Sequence, residues 1–129
     1  MKNAILSFVV MFLIVSCATT AKFPVSSVTP GAQITAKMKK DKNKNYEISI
    51  TANYLANVER LQTPMKTYVV WIETKDNGLK NIGQMNSKNP KKSTLKAVTP
   101  FQPTEIFITA EKEGNISYPS GIEISRTNF

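Results

Sequence analysis

The stretch that decides the fold is Tyr46-Glu47-Ile48-Ser49-Ile50-Thr51-Ala52-Asn53-Tyr54. Apolar side chains occupy every second position, so one face of an extended chain is apolar and the other is polar. The same period of two runs from Ile34 to Lys39, and the polar residues 40–45 separate the two stretches. Two alternating strands around a charged tip predict an antiparallel hairpin with one face in a core and the other in water.

A different kind of strand is predicted at residues 66–73, where β-branched and aromatic residues occupy both faces. Such a strand is usually central in a sheet and covered on both sides, so we expect Trp71 to be buried between two sheets. The alternative is that Trp71 is an exposed platform for a ligand. Asp76-Asn77-Gly78 follows and predicts a tight turn, because Asn and Gly accept positive φ readily.

The rest of the chain continues as short strands separated by polar or proline-containing connections. They are predicted at residues 79–85, 94–99, 104–112, 116–118 and 122–124. Beyond the N-terminal segment, apolar residues nowhere follow the i, i+3, i+4, i+7 spacing of an amphipathic helix. The sequence therefore predicts an all-β domain, a two-sheet antiparallel β-sandwich of seven or eight strands.

The N-terminal residues resemble the signal peptide of a bacterial lipoprotein. Lys2 supplies a positive charge, residues 4–15 are apolar apart from Ser7, and Ile14-Val15-Ser16-Cys17 resembles a lipobox. The apolar run of about 12 residues is shorter than the roughly 20 that a membrane-spanning helix needs. An ordinary secretory signal is the alternative, but no A-x-A cleavage site follows the apolar run.

This resemblance implies that the signal is cleaved before Cys17 and that Cys17 is lipidated. Two or three acyl chains, such as palmitate, hold a protein at a membrane far more firmly than one. Ala18 follows the cysteine where an aspartate would retain a lipoprotein in the inner membrane under the sorting rule of enteric bacteria. The expected location is therefore the outer membrane, facing the periplasm.

Length and composition are consistent with one exported domain. Removal of 16 residues from 129 leaves 113, enough for a hydrophobic core without disulfides or metals. We predict a signal peptide at 1–16, a tether at 17–28 and the sandwich at 29–129. The alternative is that Phe23, Val25 and Val28 form a first edge strand, which would start the domain earlier. The net charge of +8 becomes +7 once Lys2 leaves with the signal. For an anchored envelope protein, such a charge favours an anionic membrane or an acidic polymer over nucleic acid.

Part of the sandwich is similar to the extracytoplasmic domain of anti-sigma-K factors. The similar residues lie between Tyr68 and Gly121, in that family's order: Tyr68-x-x-Trp71-Ile72, Asn77-Gly78, Ile82-Gly83, Ile106-x-Ile108-x-x-Glu111 and Pro119-Ser120-Gly121. The resemblance implies an immunoglobulin-like sandwich. Members of that family carry a sigma-binding region and a transmembrane helix ahead of the sandwich, where this sequence has a lipobox. We therefore expect no anti-sigma role, and a sensory or ligand-binding role remains open.

Few residues offer catalytic or metal-binding chemistry. The chain has no histidine and no cysteine other than Cys17, which excludes histidine-based triads, thiol catalysis and metal sites built on nitrogen and sulfur. The nine carboxylates form no acidic cluster in sequence, and Glu105, Glu111 and Glu113 are interpreted as solvated charges. We expect no enzymatic activity, metal or cofactor, with a small carboxylate-dependent hydrolase as the less favoured alternative.

The lysines are the one patterned feature among the charged residues. Five crowd the first hairpin and four lie in a later segment: Lys37, Lys39, Lys40, Lys42 and Lys44, then Lys88, Lys91, Lys92 and Lys96. They favour either solubility and protection of an exposed edge strand, or attraction to anionic lipid or acidic glycan. The two groups act together only if the fold places them on one face.

These observations predict a non-enzymatic, lipid-anchored envelope lipoprotein whose β-sandwich binds or scaffolds another molecule. The expected partners are the membrane, through Cys17, an anionic lipid or glycan at the hairpin lysines, and an unidentified envelope protein. The alternative is an accessory subunit of a larger envelope complex.

Overall fold

The computed structural model describes residues 18–89 and 91–129. The predicted signal peptide and the lipobox with Cys17 lie outside this part of the chain. The described residues form nine strands and a short 3-10 helix at Val58–Arg60. The strands are β1 Thr19–Lys22, β2 Gln33–Lys40, β3 Tyr46–Asn53, β4 Thr67–Thr74, β5 Gly78–Gln84, β6 Asn86–Asn89, β7 Lys92–Thr99, β8 Pro103–Glu111 and β9 Ile122–Asn128.

The strands make two antiparallel sheets that pack face to face. Sheet A has the order β1-β2-β3-β7-β6, and sheet B has the order β5-β4-β8-β9. The arrangement β2-β3-β7-β6 against β4-β8-β9 matches the A-B-E-D and C-F-G sheets of the immunoglobulin fold, with β5 in the C′ position. The predicted immunoglobulin-like two-sheet antiparallel β-sandwich is confirmed. The described residues contain nine strands rather than seven or eight, because β1 and β6 were not predicted while residues 116–118 are not a strand.

The predicted hairpin is formed by β2 and β3. It supplies the buried apolar residues of sheet A that face sheet B. Ala36 lies opposite Ile50 and Ile34 opposite Ala52, so the apolar positions of both strands face sheet B. Sheet B contributes Tyr68, Val70, Ile72, Ile106 and Ile108 to the same cluster. The period of two in the sequence therefore corresponds to the alternation between core and solvent in the sheet.

Tyr68 of β4 is hydrogen-bonded to the connection between β3 and β4. Its ring packs in the core, and its hydroxyl donates a hydrogen bond of 2.6 Å to the carbonyl oxygen of Ala56. Burial raises the pKa of Tyr68 to about 12, because an ionised phenol would lose its hydration in this environment. A partly buried hydrogen bond thus holds the connection that crosses from one sheet to the other.

The sandwich extends N-terminally to Thr19, into the segment predicted as a tether at 17–28. Strand β1 pairs with β2 from Thr19 opposite Met38 to Lys22 opposite Thr35. The side-chain hydroxyls of Ser125 and Thr127 on β9 donate to backbone carbonyl oxygens of this segment, at distances of 2.9 and 3.3 Å. Backbone pairing needs few apolar side chains, which is why a segment poor in large apolar residues still forms an edge strand.

One end of the sandwich gathers the turns that follow β2, β4 and β7. Tyr46 of β3 pairs with Lys40 on one side and with Thr99 on the other, and the backbone N–H of Lys75 donates to the carbonyl oxygen of Gln102. Strand β1 also begins close to this end, at Thr19. We call it the hairpin end, and the chain enters the sandwich there.

A second apolar cluster lies on the outer face of sheet B. Val69, Trp71 and Phe107 are buried there, and the partly buried Leu79 and Ile116 pack against them. The Trp71 and Phe107 rings stack with centroids 6.3 Å apart. Trp71 is therefore buried on a central strand, as expected, but the prediction that it lies between the sheets is wrong. Alternation along β4 directs Val70 and Ile72 inward, which leaves Trp71 facing outward beneath the β8–β9 loop.

In the described ranges, no helix is long and apolar enough to cross a membrane.

Candidate anion-binding face

The outer face of sheet A carries lysines from β1, β2 and β7, with the lysine-free β3 between β2 and β7. Because Ala36 and Ile48 point into the core, the positions between inward residues point into solvent. Five exposed lysines project from this surface, of which Lys92 lies at the end remote from the hairpin tip. We call the other four the lysine face: Lys22, Lys37, Lys39 and Lys96. The register therefore brings two members of the second predicted lysine group, Lys92 and Lys96, onto the same side of the sheet as Lys37 and Lys39 of the first.

The register fixes the spacing of these charges. Lys37 lies opposite Ser49, and Ser49 lies opposite Lys96, so the two lysines are separated by two strand spacings, about 10 Å. Lys39 forms an ion pair with Glu47 at 3.6 Å, with both side chains roughly half exposed. An exposed pair of this kind contributes little to stability, typically under about 1 kcal/mol. Glu47 therefore moderates the positive charge of the face but does not cancel it.

The hairpin tip presents three further exposed lysines beside this face, Lys40, Lys42 and Lys44. The Asp41 carboxylate accepts hydrogen bonds from the backbone N–H groups of Asn43 and Asn45, at 2.8 and 2.9 Å. Lys44 takes a positive φ of 62°, and Lys40 lies 5.7 Å from the ring centroid of Tyr46. The one carboxylate of the tip is engaged by backbone donors, and the lysines remain on the surface.

A shallow groove of about 480 Å³ lies where the chain enters the lysine face. Its walls include Ala18, Lys37, Lys39, Lys96 and Val98, and Val98 is 63% exposed. Ala18 immediately follows Cys17 in sequence, so the predicted lipidation site is one residue from this groove. Neither the position of Ala18 nor the membership of Lys22 in the face was predicted, because both depend on the pairing of β1.

The other lysines of the second group are more distant from the groove. Lys92 lies opposite Asn53, at the far end of β3, and Lys91 precedes it in the turn. Both are exposed. The side chain of Lys88 lies outside the described part of the structure. Within that part, only Lys96 of this group lies near the hairpin lysines.

Glu111 is fully buried, so its interpretation as a solvated charge is wrong. Its carboxylate accepts hydrogen bonds from the Thr109 hydroxyl at 2.6 Å and from the Ser120 hydroxyl and N–H at 3.0 and 3.2 Å. The Trp71 indole N–H donates in turn to the Thr109 hydroxyl at 2.8 Å. Gly121 completes the contact, since a Cβ there would overlap the carbonyl oxygen of Ala110. The network fastens the β8–β9 loop over the outer face of sheet B.

Glu105 is also not simply solvated, because its carboxylate pairs with Arg126. Arg126 donates to Glu105 at 2.9 Å and to Glu123 at 2.6 Å, and its guanidinium lies 3.9 Å from the ring centroid of Phe107. Partial burial alone would lower the pKa of Arg126, but hydrogen bonds and Coulombic attraction from Glu123 and Glu105 raise it above the usual arginine value. The third carboxylate interpreted as solvated, Glu113, is exposed, which agrees with that interpretation.

The chemistry available at the lysine face is reversible binding of anions. Ammonium groups donate hydrogen bonds to phosphate or carboxylate oxygens without bond making or breaking. Among the described residues, no group of three or more acidic, histidine or cysteine side chains is placed to hold a metal ion. What the arrangement offers is a flat, positively charged surface beside the point where the chain enters the fold.

Searches of protein-family models, curated proteins and solved structures returned no match to this chain.

Proposed function

We propose that this chain is a lipid-anchored bacterial envelope lipoprotein whose sandwich is a non-enzymatic binding or scaffolding domain. Acyl chains on Cys17 would hold it at the membrane, in the outer membrane facing the periplasm. The proposal rests on Ile14-Val15-Ser16-Cys17 at the end of an apolar run too short to span a bilayer.

The position of β1 supports this proposal and refines its geometry. Strand β1 begins at Thr19, two residues after Cys17. Two extended residues span about 7 Å. A lipidated Cys17 would therefore hold the sandwich directly against the headgroup layer, whereas the predicted tether of 17–28 would have let it move freely.

The decisive test is acyl labelling of Cys17 in the full chain. Expression with an alkyne-bearing fatty acid should label the wild-type protein, and Cys17→Ser should abolish the label and release the domain from membranes. Ser16→Ala is the matched control, because it keeps a small residue before the cysteine, and it should label normally. Mass spectrometry of the N-terminal peptide should then find the acyl groups on Cys17. Undiminished labelling of Cys17→Ser would contradict the proposal.

A further inference from the structure

We propose that the sandwich lies with the lysine face of sheet A against anionic phospholipid headgroups of the membrane that anchors it. The proposed anchor supplies the location of this contact, so the inference rests on the proposed function in that respect. The affinity of the face for anionic lipid is a property of the folded domain and can be measured without the anchor.

The first argument is the distribution of charge between the two sheets. The strands of sheet A contain seven lysines and one glutamate, whereas those of sheet B contain four glutamates, one lysine and one arginine. The sandwich is therefore strongly polarised across its thickness. Because Glu111 is buried, the surface charges of the sheet B strands nearly cancel. A negatively charged surface therefore attracts sheet A more strongly than sheet B, which favours one orientation.

The second argument is the direction in which the chain enters. Thr19 lies opposite Met38, so Ala18 lies beside Lys39, a residue of the lysine face. Ala18 lines the groove that this face forms with β7. Because Cys17 adjoins Ala18 in sequence, a lipid on Cys17 would be attached one residue from these lysines.

The third argument is the scarcity of competing carboxylates on this side. The lysine face and the hairpin tip together carry seven exposed lysines, against Glu47 and Asp41. Glu47 contacts Lys39, and the Asp41 carboxylate is engaged by backbone N–H groups. Val98 adds an exposed apolar side chain among the charges, which suits a surface that meets lipid.

Binding can be tested with the unlipidated fragment 18–129, because all nine strands, both apolar clusters and the covering loop lie within it. Cosedimentation should use vesicles of phosphatidylcholine alone and vesicles with about one-third phosphatidylglycerol. We expect binding to the anionic vesicles only, decreasing with added salt as exposed charges are screened. Binding to neither vesicle at low salt, or equal binding to both, would overturn the inference.

Two variants of equal charge separate the face from net charge. The face variant combines Lys37→Gln, Lys39→Gln and Lys96→Gln. The control combines Arg60→Gln, Lys66→Gln and Lys112→Gln, which are exposed positions outside the strands of sheet A. Each lysine near an anionic surface contributes roughly fivefold to partitioning. The face variant should bind at least tenfold more weakly, and the control should stay within about threefold of wild type. Equal losses in both variants would overturn the inference.

The same fragment distinguishes lipid from acidic glycan. Soluble polygalacturonate should compete weakly with anionic vesicles and should not bind at physiological salt. Tight binding to this polymer together with absent binding to vesicles would assign the face to a glycan and overturn the membrane contact. Because the acyl-labelling test does not involve these lysines, its failure is separate from failure of the vesicle test.

Orientation can be measured in the full lipidated chain. Cys17 is the only cysteine and its thiol would be acylated, so an introduced cysteine would be the single labelling site. A fluorophore at Ser49→Cys, in the centre of the lysine face, should be quenched strongly by headgroup-attached quenchers. The matched label at Ser117→Cys, in the loop over sheet B, should be quenched several-fold less. Equal or stronger quenching at Ser117→Cys would overturn the inference.

Discussion

The two outer faces of the sandwich differ in what covers them. On sheet A, the outward side chains are mostly lysines and small polar residues in contact with solvent, with Glu47 and Val98 among them. On sheet B, the outward residues Val69, Trp71 and Phe107 are buried under the β8–β9 loop. Both sheets are antiparallel, so the difference comes from their outward side chains and from the loop that covers only sheet B.

This difference teaches that a sheet apolar on both faces does not require a third layer of secondary structure. The covering loop, residues 112–121, is largely polar, and it is fixed by a few specific contacts. Asn81 donates through its side-chain amide to the carbonyl oxygens of Gly114 and Ile116, at 2.8 and 3.0 Å. Glu111 holds the other end of the loop through Ser120. These hydrogen bonds, together with the side chains of Leu79, Ile116 and Arg126, cover the aromatic pair.

The largest expected effect is on the covered face. Trp71→Ala removes a fully buried indole and the hydrogen bond to Thr109, and truncation of such a side chain typically costs about 3–5 kcal/mol. Denaturant unfolding of the fragment should show this loss. Val98→Ala on the exposed face is the matched control and should change the free energy of unfolding by less than about 0.5 kcal/mol. Similar losses in both variants would contradict the comparison.

An intermediate effect is expected at the buried carboxylate. Glu111→Gln places an amide where both oxygens now accept hydrogen bonds, so one donor among Thr109 and Ser120 loses its partner. The expected cost is about 1–3 kcal/mol of unfolding free energy. Glu113→Gln, an exposed change of the same chemistry, should be close to neutral. Equal stability of the two variants would show that the network does not fasten the loop.

The smallest effect is expected on the exposed face. The variant with Gln at Lys37, Lys39 and Lys96 loses only a half-exposed ion pair and some repulsion between like charges. Its unfolding free energy should stay within about 0.5 kcal/mol of wild type and its melting temperature within about 4 °C. A larger drop would mean that these lysines stabilise the fold. Weaker vesicle binding by this variant would then not be separable from a loss of folding.

The sequence predicted the parts of the fold that follow from side-chain alternation. The β2–β3 hairpin and the double-sided apolar character of β4 were both visible, because one face or both faces of a strand must be apolar when buried. Strand β1 could not be predicted from the sequence, because Thr19–Lys22 joins the sheet through its backbone and buries only Ala21. Short pairing of this kind leaves almost no periodic signal.

The charged residues were the least predictable, because their roles depend on distant parts of the chain. Glu111 was interpreted as solvated on the basis of its charge alone, yet its partners include Ser120 and, through Thr109, Trp71. The convergence of Lys37 and Lys96 required the β2–β3–β7 register, which no local pattern specifies.

The way β1 joins sheet A also determines how the domain responds to mechanical force. Hydrogen bonds of an antiparallel ladder run perpendicular to the strands, so a pull on the chain ahead of Thr19, along the axis of β1, loads the β1–β2 bonds together in shear. The hydroxyls of Ser125 and Thr127 hold the segment against β9 and oppose peeling from the side. A flexible tether would stretch first as an entropic spring. Here tension at Ala18 is transmitted through the β1–β2 ladder to sheet A and through these hydroxyls to sheet B.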